Sequence, residues 1–315
     1  MALPYVHDLG GGVHLVDTGF HRPAFDAAYL IVEGGRAAFV DTGTNHSVPR
    51  LLAALGDLGL APESVDHVIP THVHLDHAGG VGLLMQSLPR ATVLAHPRAV
   101  RHLVDPTALY QGALAVYGEA EMARNYGTLQ PVPAGRVVAV EDGAVVALAG
   151  RPLRFIDTPG HARHHQCIWD EHTRAWFTGD TFGLGYPEFH SAQGDWVLPT
   201  TTPVQFEPEA LHRSIDRLLE ARPEAMYLTH YGRVRDVARL GALLHEQIDA
   251  MVALARGCQA APDRHQVLKR GLQALLRTRL QAHGVDDLDG CIDGLALDIE
   301  LNAQGLGIWL DRAPA

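Results

Sequence analysis

The sequence predicts an α+β protein with a helical C-terminal extension, on three observations. Short apolar runs closed by glycine turns fill the first half of the chain. Amphipathic stripes of helical spacing alternate with them, and beyond about Arg235 the helical stripes stand alone. VHLVDTG, AAYLIVEGG and AAFVDTG read as the first strands, with EGG as a hairpin turn. SVPRLLAALGDLG then sets Leu51, Leu52, Leu55 and Leu58 at helical spacing. VDHVIP is a strand, AGGVGLLMQSLP opens a helix, and ATVLAHP is a further strand before a short helix near AVRHLV. Between Asp105 and Gly135 the pattern changes to LYQGALAVYGEAEMARNYG, aromatic and mixed in polarity, which reads as a lid insertion over 105–135. Strands resume at RVVAV, AVVALAG and LRFIDTPG, and CIWDE with RAWFTGD reads as an antiparallel pair. FEPEALHRSIDRLLEA gathers Leu211, Ile215, Leu218 and Leu219 on one helical face, ahead of the strand AMYLTH. In the tail, Val237, Leu240, Leu244, Ile248 and Met251 form one stripe and Val267, Leu268, Leu272, Leu275 and Leu276 another, both read as packing faces. The expected division is a main domain over 1–235 and a helical extension over 236–315. The recurrence of VDTG and IDTPG at run ends suggests an internal pseudo-repeat.

Composition narrows the function. The 315 residues are 47% hydrophobic and 19% charged, against a disordered or fibrous chain. A formal net charge of −11 works against broad binding to nucleic acid or anionic membrane, so a small-molecule partner is expected. The three cysteines, Cys167, Cys258 and Cys291, are widely spaced and form no CxxC, which excludes a disulfide framework or thiolate zinc site and suits a reducing compartment. MALPYVHDLGGGVHLVDTG lacks a basic segment followed by an apolar core, and no apolar run reaches the roughly 18 residues of a membrane helix, so a cytoplasmic protein is expected. The GGG at Gly10 is not followed by a phosphate-loop pattern, and no GxSxG elbow occurs. Twenty histidines, by contrast, point to metal or proton chemistry.

That chemistry concentrates in THVHLDHAGG, directly after VDHVIP. Neutral imidazole and ionised carboxylate are good ligands for divalent transition metals. At a strand end, the i,i+2 spacing of His72 and His74 sends both rings to one side, and the following turn sends Asp76 and His77 to a neighbouring position. One loop can thus serve two adjacent ions. Further ligands are needed, and His161 after LRFIDTPG, Asp180 ending AWFTGD and His230 ending AMYLTH occupy equivalent run ends. Asp180 is the natural bridge, because a carboxylate offers two oxygens where an imidazole offers one lone pair.

HVHLDH, with these later residues in order, resembles the HxHxDH signature of the metallo-β-lactamase-fold metallohydrolase superfamily, over roughly residues 10 to 235. The resemblance implies a four-layer αββα sandwich, two mixed sheets face to face with helices outside. It implies one metal site of His72, His74 and His161, a second of Asp76, His77 and His230, and Asp180 bridging them. Two divalent ions are expected, zinc by default with iron or manganese as alternatives. TPGHARHHQ resembles the TPGHTPGHQ segment of thioesterase and lactonase branches. His165 matches its second histidine and is expected to support a ligand, as is Asp41 in FVDTG. His164 and Tyr186 are candidate substrate contacts, with surface and packing roles as their respective alternatives.

The implied reaction is attack of metal-bound hydroxide on the carbonyl of a small ester, thioester or lactone, with Asp180 and Asp76 as the catalytic carboxylates. The glyoxalase II branch also carries C-terminal helices, but no basic cluster matching its thiol-conjugate site is recognisable in the sequence. Alternatives are an iron-dependent sulfur dioxygenase, which in this fold uses one iron on the first-site ligands, and β-lactamase or phosphodiesterase activity. The helical extension or the lid is also a candidate homodimer surface.

Overall fold

The structure, a computed structural model, describes residues 3–201 and 204–312. Strands β1 (Val6–Gly10), β2 (Val13–Asp17), β3 (Ala27–Glu33) and β4 (Arg36–Val40) form an antiparallel meander. The EGG turn closes β3 on β4 with Glu33 paired to Arg36, and Gly34 and Gly35 at φ 53° and 76° supply the two positive angles that a tight two-residue hairpin requires. Helix α1 (Val48–Asp57) then crosses over to β5 (Val65–Ile69), which lies parallel to β4. Helices α2 (Leu75–Ala78) and α3 (Val81–Ser87) lead to β6 (Thr92–Ala95), and β7 (Val137–Ala139) completes a seven-stranded sheet in sequence order. The second sheet runs β13 (Gly232–Val234), β12 (Ala225–Leu228), β11 (Ala175–Gly179), β10 (Gln166–Asp170), β9 (Arg151–Asp157), β8 (Val145–Leu148).

The chain divides into two compact units. The first comprises Met1–Asp157, His164–Gly179 and Met226–Arg233, and the second Thr158–Arg163, Asp180–Ala225 and Val234–Ala315. In the first unit the apolar faces of α1 and α3 (Val48, Leu51, Leu55, Leu84) close over Val16, Leu30, Phe39 and Val68 of the first sheet, each buried, worth about 2 kcal/mol per large side chain. The two sheets meet through Tyr29, whose hydroxyl donates to the Leu228 carbonyl (2.5 Å) and whose ring lies 5.3 Å from that of Phe177. Arg151 is buried at 3% exposure, donating to both oxygens of Asp170 (0% exposed) and to the Gly11 carbonyl at 2.7 Å. Arg151→Ala would strand the Asp170 charge without its guanidinium. A loss of about 3–5 kcal/mol in chemical denaturation is expected, and a loss below about 1 kcal/mol would contradict this reading.

The insertion expected over 105–135 is a short helical stack in the first unit. Helix α4 (Val100–Val104) precedes it, and α5 (Thr107–Tyr117) has no buried residue. After α6 (Glu119–Glu121), Met122 and Tyr126 are buried, Asn45 Nδ2 donates to the Thr128 carbonyl (2.7 Å), and a Cβ on Gly82 would lie 1.8 Å from the Gln130 carbonyl oxygen. The segment is therefore pinned at its C-terminal half.

The second unit holds α7 (Pro208–Glu220), α8 (Val237–Gly257), α9 (Arg264–His283), α10 (Leu288–Gly294) and α11 (Ala296–Arg312). The C-terminal helices group with α7 rather than separating at residue 235, because α7 buries Leu211, Ile215 and Leu218 and packs on α8, where Gly241 allows the close approach of Leu219. The same two helices are clasped by His212 and His245. Their Nδ1 atoms lie 2.6 Å apart, while His212 Nε2 meets Asp249 Oδ1 (3.2 Å) and His245 Nε2 meets Asp216 Oδ1 (3.1 Å). Among the described residues, no helix is long and apolar enough to cross a membrane.

Candidate metal centre

β5 ends at Ile69, and the chain turns through Thr71 to His72 and His74 before α2 carries Asp76 and His77. Asp41, just past the parallel strand β4, is the hub of this loop. It sits at φ 56°, a left-handed angle that costs a non-glycine residue about 1 kcal/mol, and it is 1% exposed. Thr71 N donates to its Oδ1 (2.7 Å), Thr71 Oγ1 to either oxygen (3.0 Å), Thr229 Oγ1 to Oδ2 (2.7 Å) and His77 Nδ1 to Oδ2 (2.8 Å).

These bonds set the ring tautomers. With its Nδ1 proton given to Asp41, His77 presents the lone pair of Nε2. His230, after β12, donates Nδ1–H to the Phe25 carbonyl (2.9 Å), which again leaves Nε2 as the acceptor atom. Both Nε2 atoms face Asp76 Oδ2, at 3.9 Å from His77 and 3.4 Å from His230. One ligand atom from each of the three residues lies within 4.8 Å of the other two, so the group can hold a cation. Thr71 Oγ1, having given its own proton to Asp41, accepts from His72 Nδ1 (3.2 Å), and His72 Nε2 lies 2.7 Å from His74 Nδ1. Two imidazole nitrogens at that distance need a proton or a cation between their lone pairs.

In the second unit, His161 donates Nδ1–H to the Thr200 carbonyl (3.3 Å) and sets Nε2 3.2 Å from Asp180 Oδ2. Gly160, before it, has φ 129°, and a Cβ there would lie 2.3 Å from Leu211 N, so only glycine brings the chain past α7. The donor set is imidazole and carboxylate, with Nε2 of His77, His161 and His230 each turned toward a carboxylate oxygen. It fits divalent transition metals better than the oxygen-seeking calcium or magnesium.

Of the supporting residues, His165 is fully buried and its ring stacks on His72 at 4.8 Å. Gly179 has φ 47°, and a Cβ there would meet His165 Nε2 and Thr71 Oγ1 at 2.6 Å. His164 is buried, nearly parallel to His72 at 6.1 Å and 5.5 Å from His74, with Nδ1 accepting from Val73 N at 3.5 Å. Tyr186 is 1% exposed in the second unit, where its hydroxyl donates to Asp298 Oδ1 (3.3 Å) and its ring packs on Phe189. Sequence reading missed Thr71, Thr229 and the Phe25 carbonyl. The two threonines left a trace, since each directly precedes a ligand histidine at a strand end (Thr71-His72, Thr229-His230).

Burial also shapes the surroundings. It pushes the Asp26 carboxyl up to about 7, and Thr18 Oγ1 donates to its Oδ2 (2.7 Å). Burial, followed by the Asp76 charge, pushes the Tyr117 hydroxyl of the insertion up to about 12.

Residues 21–230 match the family model of the metallo-beta-lactamase superfamily. The metallo-beta-lactamase fold-containing protein ST1585 of Sulfurisphaera tokodaii is 27% identical over 228 residues, covering 71% of this chain and 79% of that protein. The acyl-coenzyme A thioesterase MBLAC2 of Gallus gallus is 27% identical over 190 residues, 55% of this chain and 63% of the relative. Thioesterase pkgB of Emericella nidulans is 33% identical over 164 residues, 50% of this chain and 36% of the relative, so this chain spans under two thirds of either thioesterase. Among solved structures, the archaeal superfamily protein ST1585 from Sulfolobus tokodaii aligns with a TM-score of 0.65 at 25% identity, covering 94% of this chain and 98% of that one. With HVHLDH and its later ligands inside the matched span, and two sheets of the expected kind, the chain belongs to the metallo-beta-lactamase superfamily.

Proposed function

We propose that this chain is a dinuclear metal-dependent hydrolase of small ester-like substrates, with thioesters and lactones preferred. The observation that carries the reading is the second ligand group. Asp76, His77 and His230 gather with both rings locked to present Nε2, by Asp41 and by the Phe25 carbonyl. A one-iron dioxygenase of this fold needs only the first set, so a fully supported second set favours two ions and hydrolysis. For the other ion we assign His72, His74, His161 and Asp180 by their match to the family signature, three imidazoles and a carboxylate. We assign Asp180 as the bridge, and zinc as the resident metal, with iron or manganese accepting the same donors.

A pair of divalent cations held there would lower the pKa of a bound water from about 15.7 toward 7 and polarise the substrate carbonyl. The chain does the rest. The Nδ1 protons of His72, His77, His161 and His230 stay directed at Thr71, Asp41, Thr200 and Phe25, so no ligand ring drifts to the wrong tautomer during turnover. Asp180 takes up the proton released as the attacking water adds to the carbonyl, and Asp76 balances charge beside His230. A thiolate, with a parent pKa of about 8.5, leaves without a proton donor, whereas an alkoxide does not. This ordering, together with thioesterases among the relatives, supports thioesters as the first choice.

A panel of thioester, lactone, β-lactam and phosphodiester substrates tests the assignment. Turnover of the thioester or lactone at least about a hundredfold above the other two, about 3 kcal/mol in barrier, is expected. Preferred phosphodiester cleavage, or thiol-dependent oxygen uptake without hydrolysis, would overturn it.

A further inference from the structure

We infer that a cavity in the first unit, built from residues other than the ligands, binds a phosphate-bearing thiol portion of the substrate; this rests on the thioester reading above. The cavity has a volume of about 740 Å³ and contains three arginines, Arg22, Arg50 and Arg124, against one carboxylate, Asp17. His7, His21 and His46 add further ring donors to its wall. An excess of guanidinium in a chain of net charge −11 is a local reversal of sign, and a concave wall focuses that field on an anionic ligand.

The cavity wall comes close to the second ligand group through aromatic residues. Tyr231 lines it and directly follows the ligand His230. Phe25, whose carbonyl holds His230, has its ring 5.6 Å from that histidine, and Phe20, another wall residue, lies 5.9 Å from Phe25 and 5.4 Å from Tyr126 of the insertion. The rings of Phe20 and Phe25 thus lead from the cavity wall to His230. Two of the arginines have protein partners. Arg50 donates to Asp17 Oδ1 (3.0 Å), lies 4.2 Å over the Tyr5 ring and crosses Gly19, where a Cβ would sit 2.3 Å from its Nη1. Arg124 comes from the insertion, pairs with Glu121 and keeps its side chain 69% exposed.

Arg22, with the remaining donors of Arg50 and Arg124 beyond those given to Asp17 and Glu121, suits the multiple oxygens of phosphate better than a single carboxylate. The shared chemistry is an anionic end on a thioester, which either the thiol or the acyl group can carry. The size of the basic patch assigns it to the thiol.

The test compares kcat/KM for one acyl group on coenzyme A and on uncharged N-acetylcysteamine, with a third thioester carrying an ω-carboxyl acyl group on N-acetylcysteamine. The wild type is expected to prefer the phosphorylated thiol at least about tenfold. Raising salt from about 50 mM to about 500 mM, which cuts the screening length from roughly 14 to 4 Å, should erode that preference. Arg124→Gln, on an exposed side chain, should reduce the preference about fivefold, and Arg22→Gln should act in the same direction. Equal rates on the two thiols, with the N-acetylcysteamine thioester turned over, would overturn the inference and leave the hydrolase reading standing. So would a preference that follows the ω-carboxyl group. No turnover of any thioester would instead remove the hydrolase reading and this inference with it.

Discussion

Replacing Asp180 with alanine is expected to lower kcat/KM for a thioester about a thousandfold, a loss of about 4 kcal/mol in transition-state stabilisation. The size follows from the carboxylate's position. Asp180 is 6% exposed, sets Oδ2 3.2 Å from His161 Nε2, and is the assigned bridge between the two ions and the acceptor of the water proton. No neighbouring oxygen repeats that combination. Because Asp180 follows β11 rather than packing within the apolar core, the variant should keep a thermal midpoint within a few degrees of the wild type under the same metal supply. A drop in kcat/KM of less than tenfold, in a folded variant, would remove Asp180 from the catalytic assignment.

Asp41→Ala is expected to have the largest effect on the structure itself. The substitution deletes the acceptor for Thr71 N, Thr71 Oγ1, Thr229 Oγ1 and His77 Nδ1 in a site that is 1% exposed, and alanine must adopt the left-handed angle at φ 56°. Stranding several buried donors costs about 3–5 kcal/mol in unfolding free energy. With the His77 tautomer no longer fixed, metal affinity should fall about 10- to 100-fold. Chemical denaturation of the metal-free protein and a chelator competition read the two effects separately. A change below about 1 kcal/mol with unchanged metal retention would contradict the hub role.

The proposed ligands stood out in the sequence because they are distinctive residue types at strand ends. HVHLDH, His161, Asp180 and His230 each close an apolar run, and a strand end is where a side chain can leave the sheet. The EGG hairpin was equally legible, since few sequences but glycine pairs accept two positive φ angles in succession. What stayed hidden has physical reasons. The Phe25 and Thr200 carbonyls that fix His230 and His161 are backbone atoms and carry no residue signature. The basic cavity draws on residues from His7 to Tyr231 that meet only in the folded chain, so no basic run announced it. Tyr186 stood a few residues after Asp180 in sequence, yet its hydroxyl is directed at Asp298 of α11, a partner more than a hundred residues on. The domain boundary was read where periodicity changed, whereas the packing follows the shared apolar face of α7 and α8, which begins before that change.

The central claim is that two divalent ions sit on these seven ligands and serve hydrolysis. Metal analysis of the purified protein, made alongside thioester turnover before and after chelation, addresses it most directly. Two equivalents of a divalent transition metal per chain, predominantly zinc, are predicted, with activity lost on chelation and restored on adding the metal back. A single tightly held iron, with thiol-dependent oxygen uptake and no thioester turnover, would contradict the account.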